Sequence, residues 1–216
     1  MSMQPEDPYR VPEADLLDRA SAGRLAHWTA GQLRLLAMFC LLLVLGTLLL
    51  IALVLAESFS GVALPSWYET WFGLVLDLLG CYLLISFKRF ARARFAARGL
   101  GWPIWLLVGV NLLLEPVEHW ASTTGGEGLG PVRLYLALLL AVGLLLVWLG
   151  GRVLLVRSDW HCFRIMGWLY LSGGAVFASQ LLMPLAAALL IGAQLAMMRV
   201  FLRARAEVLA SRPPVP

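Results

Sequence analysis

Asp77, Asn111, Glu115 and Arg133 are the side chains whose type and placement could support chemistry. Each lies within an apolar run: Asp77 in 71–87, Asn111 and Glu115 in 102–117, Arg133 in 131–151. If the runs are membrane spans, Asp77 sits about six residues, roughly 9 Å, below the outer boundary at 1.5 Å per residue. Asn111 lies at a similar depth from the outer end of its own run, and Glu115 and Arg133 lie nearer that edge. A carboxylate in lipid costs about 2.5–3.5 kcal/mol on insertion scales, so it should face the bundle and find a partner. Arg133 is the expected partner of Asp77 or Glu115. Two roles fit this intramembrane polar cluster. One is a site for a small solute, an ion or a proton. The other is a structural ion pair and hydrogen bond that fix helix packing. A proton relay needs several titratable groups at mid-depth, and only Asp77 is well inside, so the structural role is preferred.

Other constellations are weaker. Glu115, Glu118 and His119 stand at i, i+3 and i+4 and would share a face if the helix continues past Pro116. They match metal ligands in type and spacing, but no second motif completes the set, so no metal is expected. Ser172, before Gly173-Gly174, resembles the Gly-flanked serine of intramembrane serine proteases. That mechanism needs a histidine base in a later span. The last histidine, His161, precedes the serine, so the reading is rejected. Cys40, Cys81 and Cys162 form no CxxC pair and suggest neither disulfides nor zinc. No phosphate loop or dinucleotide fingerprint appears, and no cofactor is expected.

The elements that must position these residues follow from composition. The chain has 216 residues, 61% hydrophobic and 14% charged, against about 25% charged in soluble domains. So little polar surface excludes a water-soluble fold of this size and points to a bilayer as solvent. In lipid the backbone must satisfy its own hydrogen bonds, by helices or a closed barrel. The apolar runs lack alternation, which excludes the barrel. The fold class expected is all-α: a polytopic transmembrane bundle of six spans, at about 35–56, 71–87, 102–117, 131–151, 165–182 and 184–201. Residues 1–32 form a polar cytoplasmic tail, 33–202 the membrane domain and 203–216 a basic cytoplasmic tail. The split between the last two spans is forced by length. Residues 165–201 as one helix would measure roughly 55 Å, against a hydrocarbon core of about 30 Å. Ser179-Gln180 and Met183-Pro184 supply the turn.

Charge sets the orientation. Lys88, Arg89, Arg92, Arg94 and Arg98 crowd eleven residues after the second span. Phe90 and Phe95 do not share a helical face cleanly, so this stretch reads as a juxtamembrane basic loop. Arg152 to Arg164 and Arg199 to Arg212 form two further basic segments. With both termini inside, sixteen of the seventeen basic residues are cytoplasmic and Arg133 is the exception. The expected role of these segments is topological, with contacts to lipid headgroups and none to nucleic acid. The segments leaving the second and last spans both read Arg-Ala-Arg, which allows a three-plus-three parallel duplication.

Asp7-Pro8-Tyr9-Arg10-Val11-Pro12-Glu13-Ala14-Asp15-Leu16 resembles a short segment at the front of many uncharacterised proteobacterial multi-pass inner-membrane proteins. The resemblance covers about ten residues. It implies a bacterial inner-membrane location and no chemistry. Small residues suggest where helices meet: Ala188, Gly192 and Ala196 on the sixth span, Gly174 and Ala178 on the fifth. Such stripes let backbones approach closely, so they should join the fifth and sixth helices, or else two copies of the chain. Gln194 is expected to hydrogen-bond across that contact. The function expected is a non-enzymatic scaffold, assembly or regulatory partner, with the bilayer and another membrane protein or a second copy as partners. The alternative is a transporter using the outer polar cluster.

Overall fold

The computed structural model describes residues 28–60, 66–97, 99–123, 129–156 and 158–210. Among them run six helices: α1 (Ala30–Ser60), α2 (Ser66–Phe95), α3 (Gly101–Thr123), α4 (Leu129–Leu154), α5 (His161–Ser179) and α6 (Met183–Ala210). Four of these, α1, α2, α4 and α6, are long and apolar enough to cross a membrane. Leucines and tryptophans cover the outside of the bundle, Leu42, Leu45, Leu144, Trp105 and Trp168 among them, each more than half exposed. Such a surface belongs in lipid. The chain is a helical membrane protein.

Each helix packs on the next, and α6 packs back on α1, so the six close a ring. The contact is widest between α4 and α5, and α2 is the helix held most loosely by its neighbours. Glycine explains the first fact. A Cβ on Gly150 of α4 would lie 2.5 Å from the Leu171 backbone nitrogen and 2.7 Å from the Gly167 carbonyl oxygen. A Cβ on Gly174 of α5 would lie 2.7 Å from the Gly143 carbonyl oxygen. Gly143 and Gly150 are seven residues apart, as are Gly167 and Gly174. The two pairs form two rungs between antiparallel helices, and only glycine lets the backbones meet there.

One end of the ring gathers all the helix termini flanked by basic residues. Trp28, before α1, packs edge-on against Phe90 of α2, centroids 5.9 Å apart. Phe90 meets Phe201 of α6 at 5.6 Å, and Phe95 meets Trp160, before α5, at 5.2 Å. A Cβ on Gly99, between α2 and α3, would lie 3.2 Å from the Arg152 guanidinium of α4. Phe87, Phe90, Phe163 and Phe201 are fully buried here and fill the ring. At the far end Gln180, left-handed at φ 57°, closes α5, and its N–H donates to the Phe177 carbonyl. Its side-chain amide donates to the Leu136 carbonyl of α4 at 2.9 Å. The break expected around Ser179 to Pro184 is therefore a capped turn.

Local signals set the ends. Thr29 and Gln32 form a reciprocal capping box: Gln32 N–H donates to Thr29 Oγ1 and Thr29 N–H to Gln32 Oε1, each at 3.1 Å. α2 stops where Ala96 turns left-handed at φ 49° and Ala97 N–H returns to the Ala91 carbonyl.

Several expectations need correction. The basic stretch is not a loop through its length: α2 continues to Phe95, carrying Lys88, Arg89, Arg92 and Arg94 with it. Alanine and arginine favour helix and no breaker stands before Gly99. Buried Phe90 and Ala91 hold the last turns against the bundle. Phe90 and Phe95 do share a cluster, 6.2 Å apart and edge-on, because aromatic rings reach around a helix further than Cβ positions suggest. Arg203, Arg205 and Glu207 likewise belong to α6, which ends at Ala210 and buries Ala204 and Val208. α3 runs through Pro116 to Thr123, beyond the expected stop at 117. The Arg-Ala-Arg echo joins α2 to α6, four helices apart, which does not map one half of a three-plus-three duplication onto the other. Arg98, Arg157, Arg212 and the segment from Asp7 to Leu16 lie outside the described residues.

Candidate functional site

Three helices position the outer polar cluster. Asp77 and Gly73 lie one turn apart on α2. Asn111 and Glu115 lie one turn apart on α3, and all three polar side chains are half-buried. Glu115 reaches across to α2, where its Oε1 would lie 3.0 Å from a Cβ on Gly73. Absence of a side chain at Gly73 is what makes room for that carboxylate. Glu115 and Glu118 both act on Asp77 through their charge. From α4, Tyr135 donates a hydrogen bond to Glu118. The outer end therefore gathers three carboxylates and a phenol from α2, α3 and α4.

Arg133 does not join them. It is exposed, and among the described residues it forms no ion pair with Asp77 or Glu115. The reason is angular. Arg133 and Tyr135 are two residues apart, about 200° around a helix, so only one can face α3, and the phenol does. Charge alone drew attention to Arg133. A tyrosine near a helix start, in the same run and one helix from two glutamates, was the signal for Tyr135.

Glu118 and His119 are exposed on the continued α3. Among the described residues no group of three or more His, Cys, Asp or Glu is arranged to hold a metal ion. Ser172 donates to the Trp168 carbonyl of its own helix at 2.8 Å, a packing arrangement common for serine inside helices. Cys40 and Cys81 are buried and Cys162 half-buried, all as free thiols.

The small-residue stripes have different partners from those expected. Gly174 faces Gly143 and Val147 of α4, and Ala178 faces Gly143. On α6, Ala196 is buried, Gly192 touches Leu169 of α5 and Ala188 is exposed. The buried face of α6 runs instead through Ala186, Ala193, Met197, Val200 and Ala204. The stripe was read one position away from the face that packs. Gln194 Oε1 is buried with no hydrogen-bond partner, so the expected bond across the contact is not made.

The basic residues share the opposite end. Arg94 pairs with Glu207 of α6 at 3.2 Å and lies over the Trp160 ring, as does Arg203 at 5.2 Å. Lys88 lies over the Trp105 ring of α3 at 4.7 Å, while Arg89 and Arg92 are exposed. No family model, no curated protein and no solved structure matches this chain.

Proposed function

We propose that this chain is a six-span protein of the bacterial inner membrane with both termini cytoplasmic, acting as a non-enzymatic scaffold, assembly or regulatory partner. The argument for six spans is topological. α2, α4 and α6 each leave the ring at the basic end, where Gly99 meets Arg152 and Arg94 meets Glu207. If those three cross the bilayer, α3 and α5 must return between them. Their 23 and 19 residues measure roughly 34 and 28 Å at 1.5 Å per residue, enough for a core of about 30 Å. The excess of Lys and Arg at that end assigns it to the cytoplasm.

The observation that carries the scaffold reading is the filled ring. Leu83, Phe87, Phe163, Met166, Met197 and Phe201 are fully buried where a conduction path along the axis would run. Purification from native membranes after in-membrane crosslinking tests it: a stoichiometric protein partner is expected. Loss of no partner and gain of solute flux in proteoliposomes overturns it. Reporter fusions after residues 62, 98, 126, 157 and at both termini test the topology independently.

The transporter reading retains one specific observation. Asp77, Glu115 and Glu118 gather between α2 and α3, beside the most loosely held helix. Flux that Asp77→Asn abolishes would establish it; absence of flux for protons, monovalent cations and small cationic solutes would remove it.

A further inference from the structure

The basic end holds a cavity of about 330 Å³ between α2 and α3. Lys88 and Arg92 line it from the last turns of α2, Gly99 from the connecting loop, and Trp102 and Trp105 from the first turns of α3. Arg89 and Arg92 press like charge on Lys88, and no carboxylate lines the wall. The Arg152 guanidinium stands directly behind Gly99, at the 3.2 Å already noted. Gly99 is left-handed at φ 95°, so both its backbone and the approach of Arg152 require glycine. Three cations from α2 and α4 thus converge on one small volume without an anion among its lining residues. Trp102 and Trp105 are 74% and 53% exposed, and they give the cavity an apolar side wall.

We propose that this cavity binds a phosphate group. Lys88 and Arg92 make the charge-assisted contacts and Arg152 supplies further positive charge from behind. The tryptophans pack against whatever apolar part the phosphate carries. Its chemistry fits two sources: the headgroup of an anionic phospholipid, or a soluble phosphate. Burial of like charges around an empty volume is costly, and an anion with several acceptor oxygens relieves it. Exposed tryptophans beside a basic pocket are also the arrangement expected where a protein meets headgroups. The inference extends the headgroup role proposed for the basic segments, from general attraction to one built site.

Thermal unfolding of the purified full-length protein in neutral detergent tests it, with phosphatidylglycerol, inorganic phosphate or phosphatidylcholine added. Saturable protection is expected from phosphatidylglycerol and not from phosphatidylcholine. Equal protection by inorganic phosphate would identify a soluble phosphate as sufficient; protection by phosphatidylglycerol alone identifies the headgroup. Lys88→Gln with Arg92→Gln should raise the half-saturating concentration about tenfold or more, since each charged contact contributes on that order. Lys88→Arg with Arg92→Lys should largely retain protection. Arg164→Gln with Arg205→Gln, at the same end but outside the cavity, should leave it unchanged. Should the glutamine pair not fold, Trp105→Leu is expected to weaken phospholipid protection several-fold. Absence of saturable protection by either anion, equal protection by phosphatidylcholine, or equal loss in the control pair would overturn the proposal. In detergent the measurement does not depend on which side of the membrane the basic end occupies. A failed topology with protection intact therefore separates the two readings.

Discussion

The two ends of the ring are built differently. At the basic end, aromatic rings from α2, α5 and α6 interlock, and Phe87, Phe90, Phe163 and Phe201 are fully buried. At the outer end, the aromatic residues packed toward the interior, Phe72 and Phe177, are only partly buried, and three carboxylates stand between loosely held helices. Lipid is as apolar as leucine, so removal from water cannot hold helices together there. Close dispersion contact has to do it. Rings that interdigitate supply that contact in quantity. The outer end has less of it, and its polar residues must be accommodated by hydrogen bonds and by space. The basic end is therefore the rigid half and the outer end the half that can yield.

The sharpest way to break this comparison is to remove a ring from each half. Phe90 touches Trp28, Phe95, Trp160 and Phe201. Phe90→Ala should cost about 3–5 kcal/mol, the usual range for an aromatic removed from a packed core. Phe72→Ala should cost less than half as much. The unfolding midpoint in an SDS titration measures both. Equal losses would show that packing is uniform along the ring and would remove the distinction.

Glycine provides the second comparison. Gly150→Ala places a methyl 2.5 Å from backbone that cannot rotate away. The α4 and α5 helices must separate, at a cost of about 1–3 kcal/mol or more. Gly73→Ala places its methyl 3.0 Å from Glu115 Oε1, the tip of a flexible side chain, and should be close to neutral. The same midpoint measurement applies, together with disulfide crosslinking of cysteines placed across α4 and α5. Crosslinking should slow in Gly150→Ala and be unaffected in Gly73→Ala. A neutral Gly150→Ala would mean that the glycine rungs do not set the spacing of these helices.

These comparisons also show what could be read from residue order. Long uncharged leucine runs specify membrane helices because nothing else in a bilayer satisfies the backbone. The break near Gln180 was legible from length and from Pro184. The continuation of α2 into its basic stretch was not. It depends on Phe90 and Ala91 finding Trp28 and Phe201, which come from the two ends of the chain. Ring closure by α6 on α1 is similarly a long-range result. The glycine rungs were legible in principle, since both pairs repeat at seven residues. Attention to the i, i+4 stripes on α5 and α6 passed over them. At the outer cluster, Asp77 and Glu115 were identifiable as carboxylates in lipid. Their neighbour from α4 was not, because the choice between Arg133 and Tyr135 rests on helix rotation, and rotation is set by how the α4 glycines seat against α5.

Arginine gives the smallest expected contrast and the most direct test of how charge is used at each end. Arg94 donates from both Nε and Nη2 to Glu207 Oε2, at 3.3 and 3.2 Å, and lies over the Phe95 and Trp160 rings. The Glu207 side chain is 36% exposed, so solvent screens the pair and its contribution should be about 0.2–1 kcal/mol. Stacking on two rings adds to what Arg94→Gln removes, and Glu207→Gln isolates the ion pair by leaving the stacking in place. A double-mutant cycle should therefore return a coupling below the full effect of Arg94→Gln. Arg133→Gln removes an exposed side chain with no carboxylate partner among those it was expected to meet, and should leave the midpoint unchanged. If Arg133→Gln costs as much as Arg94→Gln, the outer end uses Arg133 as an electrostatic counterweight to its three carboxylates. The yielding half of the ring would then be held by long-range charge where the rigid half is held by contact.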